Sequence, residues 1–108
     1  MIARLTQWRP RPAVSREEAL RAWEAHADLV ERVPGLRRYV QHHAVAAPDG
    51  SEPPYAGLGE VWFDDEAAAR AALATPEWAA VIDDACRFMD LGTVVAASAE
   101  RRVVREPR

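Results

Sequence analysis

Hydrophobic residues recur along the chain first with strand-like and then with helix-like spacing. Residues 1–8 read as a strand, and the proline-rich run at 9–12 ends it. Ser15 and Glu18 form a capping box, which predicts that a helix begins there. From residue 19 to residue 33 the apolar positions Ala19, Trp23, Val30 and Val33 lie on one helical stripe. The first two elements are therefore a strand and an amphipathic helix.

The rest of the pattern adds two strands, a helix in two parts and a last strand. Residues 36–45 and 55–63 read as strands on either side of a proline-rich loop. An alanine-rich helix over 67–74 is interrupted at Thr75-Pro76, and a more apolar helical segment continues until Gly92. Residues 93–104 form the final strand, and residues 105–108 form a polar tail.

This order of elements predicts an α+β protein with the ferredoxin-like βαββαβ fold. The four strands form an antiparallel sheet, and both helices lie on one face of it. A chain of 108 residues is the size of one domain, which we place at residues 1–104.

The face of the sheet without helices is predicted to be partly apolar. Either Tyr39 and His43, or Leu58 and Trp62, must point away from the helices, because successive residues of a strand face opposite sides. Such a face exposes an apolar patch on the order of several hundred Å², which is typical of an association surface. We therefore expect a homodimer packed sheet to sheet, in which the apolar side chains and one imidazole are shielded from solvent.

Composition restricts the partners and the compartment. The formal net charge of -3 provides no basic surface for nucleic acid. No apolar run reaches the roughly 20 residues of a membrane span, so we expect no membrane association and a cytoplasmic location. Cys86 is the only cysteine, which excludes an intrachain disulfide and a thiolate zinc site.

His26 is the leading candidate for chemistry. It falls on the apolar stripe of the first helix, at a position where the pattern calls for a hydrophobic residue. An inward imidazole can act as a base near neutral pH. The alternative is a structural histidine that is hydrogen-bonded to a backbone carbonyl or to the hydroxyl of Tyr39.

Two carboxylates are further candidates. Glu60 shares a strand face with Trp62, and a carboxylate beside an indole in a closed cavity can have a raised pKa and carry protons. The alternative is a rim carboxylate paired with an arginine. Asp84 lies in the apolar helical segment, where it can hydrogen-bond an inward group such as His26, and the alternative is a solvated charge on the helix surface.

The remaining candidates are ligand-contacting residues. His43 shares a side with Tyr39 and Gln41, a set of groups suited to orienting a polar ligand, whereas His42 points to the opposite face. The tryptophans at 23, 62 and 78 are expected in the core and in the lining of a pocket. The three histidines lack the spacing of metal ligands, so we expect no metal site. The sequence also lacks a glycine-rich phosphate loop and a flavin-binding motif, so we expect no cofactor.

Several short motifs together resemble the EthD family of dimeric α/β barrels. They are Ser15-x-x-Glu18, Trp23-x-x-His26, Pro34-Gly35-Leu36-x-x-Tyr39, Gly59-Glu60-x-Trp62-Phe63 and Asp84-x-x-x-Phe88-x-Asp90. The resemblance runs from residue 1 to about residue 104 and implies a ferredoxin-like fold with back-to-back dimerisation. It also implies an apolar cavity that contains the helix histidine, His26. The chain departs from the family pattern in its first strand, where Arg4 and Gln7 replace a more apolar run.

The same resemblance indicates a cofactor-independent enzyme that acts on a small apolar metabolite. The expected substrate is aromatic or lactone-type, and the expected reaction is that of an oxygenase, or of an isomerase, cyclase or lyase, in polyketide or aromatic metabolism. His26, Tyr39 and Glu60 are the expected catalytic residues. The residues expected to bind substrate are Trp23, His43, Trp62, Trp78, Asp84 and Phe88. The alternatives are a non-catalytic accessory or carrier protein that binds a hydrophobic metabolite, and a domain without a closed pocket.

Overall fold

The fold is described over residues 1–108 from a computed structural model. The chain forms four strands and three helices, and a short 3-10 turn precedes the last strand. In chain order they are β1 (Ile2–Trp8), α1 (Arg16–Val30), β2 (Arg38–His43), β3 (Gly57–Phe63), α2 (Glu66–Leu73), α3 (Pro76–Ala85), the 3-10 turn (Leu91–Thr93) and β4 (Val95–Glu100).

The four strands form one sheet in the order β2-β3-β1-β4, and every neighbouring pair is antiparallel. Strands β1 and β3 occupy the centre, so the two halves of the chain meet there. With the helices between β1 and β2 and between β3 and β4, this is the predicted ferredoxin-like arrangement.

Each helix begins where the sequence supplies a cap. The Ser15 hydroxyl accepts a hydrogen bond from the Glu18 amide, as the capping box predicts. The second helical region is divided because Thr75 caps a new helix and Pro76 occupies its first turn. None of the three helices combines the length and the apolar character that a membrane span needs.

The helix predicted to continue to Gly92 ends at Ala85 instead. Beyond it the backbone leaves the helix and pairs with the segment after β1: the Arg11 amide donates to the Phe88 carbonyl, and Met89 bridges to Pro10. Phe88 and Met89 are still buried. Their apolar character therefore reflects burial in a turn, which helical spacing alone does not distinguish from burial in a helix.

Strands β2 and β4 are shorter than predicted, because their regular pairing stops early. Strand β2 covers only the six residues that pair with β3, and β4 ends at Glu100. Residues 101–108 carry no regular secondary structure. The guanidinium of Arg101 nevertheless lies over the Trp62 ring, at 4.5 Å from its centroid.

The core lies between the helices and one face of the sheet. Two buried apolar clusters make up the core. The strands contribute Trp8 to the first cluster and Val61 and Phe63 to the second, and the other members come from the helices and loops. The buried members contributed by the three helices are Ala19, Trp23, Val30, Ala72, Val81 and Ala85. Tyr39 packs against the second cluster, so its face of β2 is the helix-facing one.

The opposite face of the sheet has no helix over it. The sequence left open which pair of side chains points away from the helices. In the structure Leu58 and Trp62 lie on this open face, and Tyr39 and His43 point toward the helices. The cross-strand register places Leu5 at the centre of this open face, between Glu60 and Ala97. The side chains on the face are Ala3, Leu5, Gln7, Arg38, Val40, His42, Leu58, Glu60, Trp62, Val95, Ala97 and Ala99.

Gly57 is required by close packing of two tryptophans. A Cβ atom at this position would lie 2.6 Å from Trp23 Cζ3 and 2.6 Å from Trp8 Nε1, both parts of rigid rings. We expect Gly57→Ala to lower the free energy of unfolding by about 2 kcal/mol, as is usual for overpacking of a core. Gly92→Ala serves as the control, since its Cβ would meet its nearest atom at 3.4 Å. Equal urea midpoints for the two variants would contradict the prediction.

Candidate active site

A cavity of about 120 Å³ lies between the helix-facing side of the sheet and helices α1 and α3. Such a volume is close to that of an interior cavity that holds a benzene ring. Thirteen of its 17 lining residues are hydrophobic, Tyr39 among them, and the polar groups on its wall are the side chains of Arg4, Thr6 and His26 and the hydroxyl of Tyr39. The cavity is therefore suited to a small, mostly apolar molecule held by a few polar groups.

His26 reaches the cavity from the apolar stripe of α1. The residue is 4% exposed, and its ring meets Phe88 edge-on with 5.5 Å between ring centroids. The imidazole is thus shielded within a single chain, by α1, α3 and the turn at Phe88. The expectation that sheet-to-sheet packing of two copies shields it is wrong, because His26 is already buried in one chain and the open face lies on the other side of the sheet.

Asp84 holds one nitrogen of that imidazole. Its Oδ2 atom lies 2.7 Å from His26 Nδ1, across 58 positions of sequence. The other oxygen, Oδ1, accepts from Arg87 Nε at 2.8 Å. The structural alternatives of a backbone carbonyl or the Tyr39 hydroxyl as the partner of His26 are therefore wrong, and the hydrogen bond to Asp84 is present.

The carboxyl of Asp84 remains ionised in this setting. Burial tends to raise its pKa, but the hydrogen bonds from His26 and Arg87 outweigh burial, so its pKa lies below the usual range. A lowered native pKa stabilises the fold above the unfolded-state pKa of aspartate. That contribution is lost as the pH falls through the lowered native value.

The carboxylate fixes the tautomer of His26. An ionised carboxylate only accepts hydrogen bonds, so Nδ1 carries the hydrogen and donates it to Asp84. In the neutral ring Nε2 is then an unprotonated acceptor, and it has no hydrogen-bond partner in the chain. An oriented imidazole with a free Nε2 on the wall of a cavity is an arrangement suited to a general base.

Tyr39 supplies a second polar group to the cavity. Its hydroxyl oxygen accepts a hydrogen bond from Gln41 Nε2 at 2.8 Å, and the same amide donates to the Trp23 carbonyl at 2.6 Å. Burial raises the pKa of Tyr39 to about 12, and the hydrogen bond from Gln41 opposes the rise. The phenol therefore keeps its proton at neutral pH, and that proton is free to be donated to a ligand oxygen.

The other predicted ligand-contacting residues divide into two groups. Trp23 and Trp78 line the cavity. His43 does not line it; its ring packs on Trp23 with 5.0 Å between centroids, and its Nε2 bonds to Gln41 at 2.9 Å. Phe88 also lies behind the wall, in contact with Trp8 and His26. His43 and Phe88 therefore support cavity residues and do not line the cavity.

Glu60 and Trp62 are not brought to the cavity. Both lie on the open face of the sheet, where Glu60 accepts from Trp62 Nε1 at 2.8 Å and is paired with His42. Burial tends to raise the pKa of Glu60, but these hydrogen bonds lower it overall. The prediction of a raised pKa is wrong, and so is that of an arginine partner, since the pairing is with a histidine.

Sequence reasoning missed three residues that shape the site. Arg4 and Thr6 line the cavity from β1, and Arg87 holds the second oxygen of Asp84. Strand alternation counted backwards from Trp8 places Arg4 and Thr6 on the helix-facing side. No comparable signal marks Arg87. No group of three His, Cys, Asp or Glu side chains is placed to hold a metal ion.

The fold and the cavity define a ferredoxin-like α+β domain with a ligand-sized space between sheet and helices. The EthD domain pattern matches residues 11–92, and the chain belongs to the EthD family. The family suggested by the sequence motifs is thereby confirmed. Among curated proteins, none matches the chain in sequence.

Solved structures with the same fold include an EthD family protein from Bacillus halodurans. It is 24% identical with a TM-score of 0.75, over 94% of this chain and 100% of that one. SnoaB from Streptomyces nogalater, a cofactor-independent oxygenase, is 16% identical with a TM-score of 0.67, over 95% and 94% of the two chains. A dimeric ferredoxin-like protein of unknown function from Thermobifida fusca is 18% identical with a TM-score of 0.70, over 91% and 88%.

Proposed function

We propose that this protein is a cofactor-independent enzyme that removes a proton from a small aromatic or lactone-type metabolite. Nε2 of His26 is the base, and the Tyr39 hydroxyl donates to the oxygen on which negative charge develops. The reaction is that of an oxygenase, or of an isomerase, cyclase or lyase, in polyketide or aromatic metabolism. The similarity in fold to a cofactor-independent oxygenase agrees with this class of chemistry.

One observation carries the proposal: the buried His26, hydrogen-bonded to the half-buried Asp84, lies on the wall of a mostly apolar cavity. When Nε2 accepts a proton, the imidazole becomes a cation, and the Asp84 carboxylate at 2.7 Å stabilises that charge. The mostly apolar walls lower the local dielectric constant, so the hydrogen bond from Tyr39 to a developing oxyanion is stronger than it is in bulk solvent. Glu60 has no part in this mechanism, because it lies across the sheet from the cavity.

The fate of the deprotonated substrate sets the reaction class. A carbanion that reacts with O₂ leads to an oxygenase product. A carbanion that is reprotonated at another carbon, or that closes a ring or expels a group, leads to an isomerase, cyclase or lyase product. In each case His26 first holds the proton and returns it in a later step.

We also propose that the protein is a homodimer joined through the open face of its sheet. The similar structure from Thermobifida fusca is described as dimeric. The open face carries Leu5, Val40, Leu58 and Val95 with no helix over them; the first three are half-buried, and Val95 is 62% exposed. A second copy would cover these side chains and leave each cavity on the outer, helix-bearing side of its own subunit.

Proton exchange from a ketone tests the proposed function directly. 2-Indanone has one aromatic ring and C–H bonds made acidic by the adjacent carbonyl, and the exchange of these hydrogens in D₂O is followed by proton NMR. We expect the protein to accelerate exchange at least tenfold over the same concentration of free imidazole, because His26 is positioned and Tyr39 stabilises the enolate oxygen.

The carrier alternative gives a different result in the same experiment. A carrier protein binds 2-indanone, which quenches the fluorescence of the tryptophans that line the cavity, and its exchange rate does not exceed that of the same concentration of free imidazole. Binding without faster exchange would therefore refute the proposed enzyme and favour the carrier. Oxygen uptake recorded in parallel distinguishes an oxygenase from the other classes.

A further inference from the structure

Arg4 is the only cationic side chain on the wall of the cavity apart from the titratable His26. It lies on β1, is half-buried, and takes part in none of the ion pairs of the chain. A half-buried guanidinium without an anionic partner in the chain keeps its donors available to an anionic ligand in the cavity. The guanidinium of an arginine can form a bidentate pair of hydrogen bonds with a carboxylate.

The strand register fixes where Arg4 lies relative to the proposed chemistry. Arg4 pairs with Val61 of β3, and Val61 pairs with Tyr39 of β2, so the three form one row across the floor of the cavity. Neighbouring strands are about 4.8 Å apart, which puts the backbones of Arg4 and Tyr39 about 10 Å from each other. Thr6 is the next helix-facing residue of β1 and adds a hydroxyl beside Arg4.

Polar groups therefore mark two separate parts of the cavity, with apolar surface between them. His26 and Tyr39 belong to the part bounded by α1 and β2, while Arg4 and Thr6 belong to the central strand β1. A cavity of about 120 Å³ has room for one ring between these parts. The overall charge of -3 does not favour anions, so any attraction for an anion comes from Arg4 locally.

From this geometry we infer that the substrate is an aromatic carboxylic acid, with its carboxylate held by Arg4 and Thr6. This inference rests on the proposed function, since it names the class of molecule that His26 deprotonates. The ionic contact at β1 anchors one end of the ring, and the other end, which bears the acidic C–H or O–H bond, is presented to His26. Arg4 is then a binding residue that sets specificity.

Benzoate and benzamide form a matched pair of probes for this inference. They share ring and shape and differ in charge, and their binding is measured by quenching of tryptophan fluorescence, because Trp8, Trp23 and Trp78 line the cavity. We expect the wild-type protein to bind benzoate about tenfold more tightly than benzamide at neutral pH. Arg4→Met should abolish the preference, and Arg4→Lys should retain part of it.

The control is Arg70→Met, which removes an exposed arginine of α2 that is paired with Glu66 and is remote from the cavity. It should leave the preference unchanged. Equal affinity for the two probes in the wild type, a preference that survives Arg4→Met, or binding of neither probe would each overturn the inference. Urea unfolding of each variant verifies that the fold is retained.

The binding test of the carboxylate site and the exchange test of the proposed function can fail independently of each other. 2-Indanone has no acidic group, so its proton exchange reports on His26 and does not require Arg4. A failed carboxylate preference with intact exchange removes the inference and keeps the enzyme. A carboxylate preference without proton exchange would refute the proposed enzyme, and the protein would then be a carrier of aromatic acids.

Discussion

Replacement of His26 by glutamine is expected to slow proton exchange from 2-indanone by about 10²- to 10⁴-fold, the usual contribution of a positioned general base. Glutamine keeps polarity and approximate size but accepts no proton at neutral pH. Because His26 is 4% exposed, no solvent-exposed base replaces it at that position. The measurement is the initial rate of deuterium incorporation at saturating ketone, together with the dissociation constant from fluorescence quenching.

His42→Gln is the matched control for this variant. His42 is also a histidine next to a carboxylate, Glu60, but it lies on the open face of the sheet and is exposed. Its replacement should leave the exchange rate within about twofold of the wild type. An unchanged rate in His26→Gln with unchanged affinity would show that His26 is not the base.

Asp84→Asn extends the same argument to the partner of the histidine. Asparagine preserves shape but removes the negative charge that stabilises the imidazolium, so the rate should fall while the affinity for ketone remains. Loss of affinity with the same rate at saturation would instead indicate that Asp84 only maintains the wall of the cavity. Arg87, which contacts the same carboxylate, is exposed, and its replacement should have a smaller effect.

The second large effect is expected from Leu5→Glu at the centre of the open face. In the proposed dimer this carboxylate would be buried beside Glu60 and would have no cationic neighbour on β3 or β4 at its position. An unpaired buried charge costs about 3–5 kcal/mol, which corresponds to a dimer at least 10²-fold weaker. In sedimentation velocity we expect the wild type at about twice the chain mass of 12.0 kDa and the variant at that single-chain mass.

Val45→Glu introduces the same charge at a residue that is 80% exposed in the loop between β2 and β3. It should sediment as the wild type does. Circular dichroism and urea unfolding distinguish dissociation of Leu5→Glu from loss of fold. A wild-type protein that sediments as a single chain at all concentrations would refute the dimer but would not affect the cavity, whose lining residues all belong to one chain.

Much of the fold was predictable because its signals are local. Ser15 and Glu18 begin α1, and Thr75 with Pro76 divides the second helical region, through contacts within three or four residues. The end of α3 was not predictable in this way. Phe88 and Met89 have helical spacing, but their backbone is held by Arg11 and Pro10, nearly 80 positions earlier in the chain.

The candidate site was predictable in part. His26 was found because it interrupts an apolar stripe, and its hydrogen bond to Asp84 was foreseen as one option. Glu60 and Trp62 were assigned to the site by motif, although strand alternation places them opposite Val61 and away from the cavity. Arg4 was recognised as unusual in the first strand, but without an assigned face its place in the cavity wall was missed.

The sequence by itself determined the order of the elements, the antiparallel ferredoxin-like sheet and the inward position of His26. These depend on periodicity and on caps, which act over a few residues. Only the tertiary structure decided which face of each strand meets the helices, since alternation is the same in either orientation. It also joined Asp84 to His26 and set Arg4 in the cavity, because these contacts link distant parts of the chain through packing.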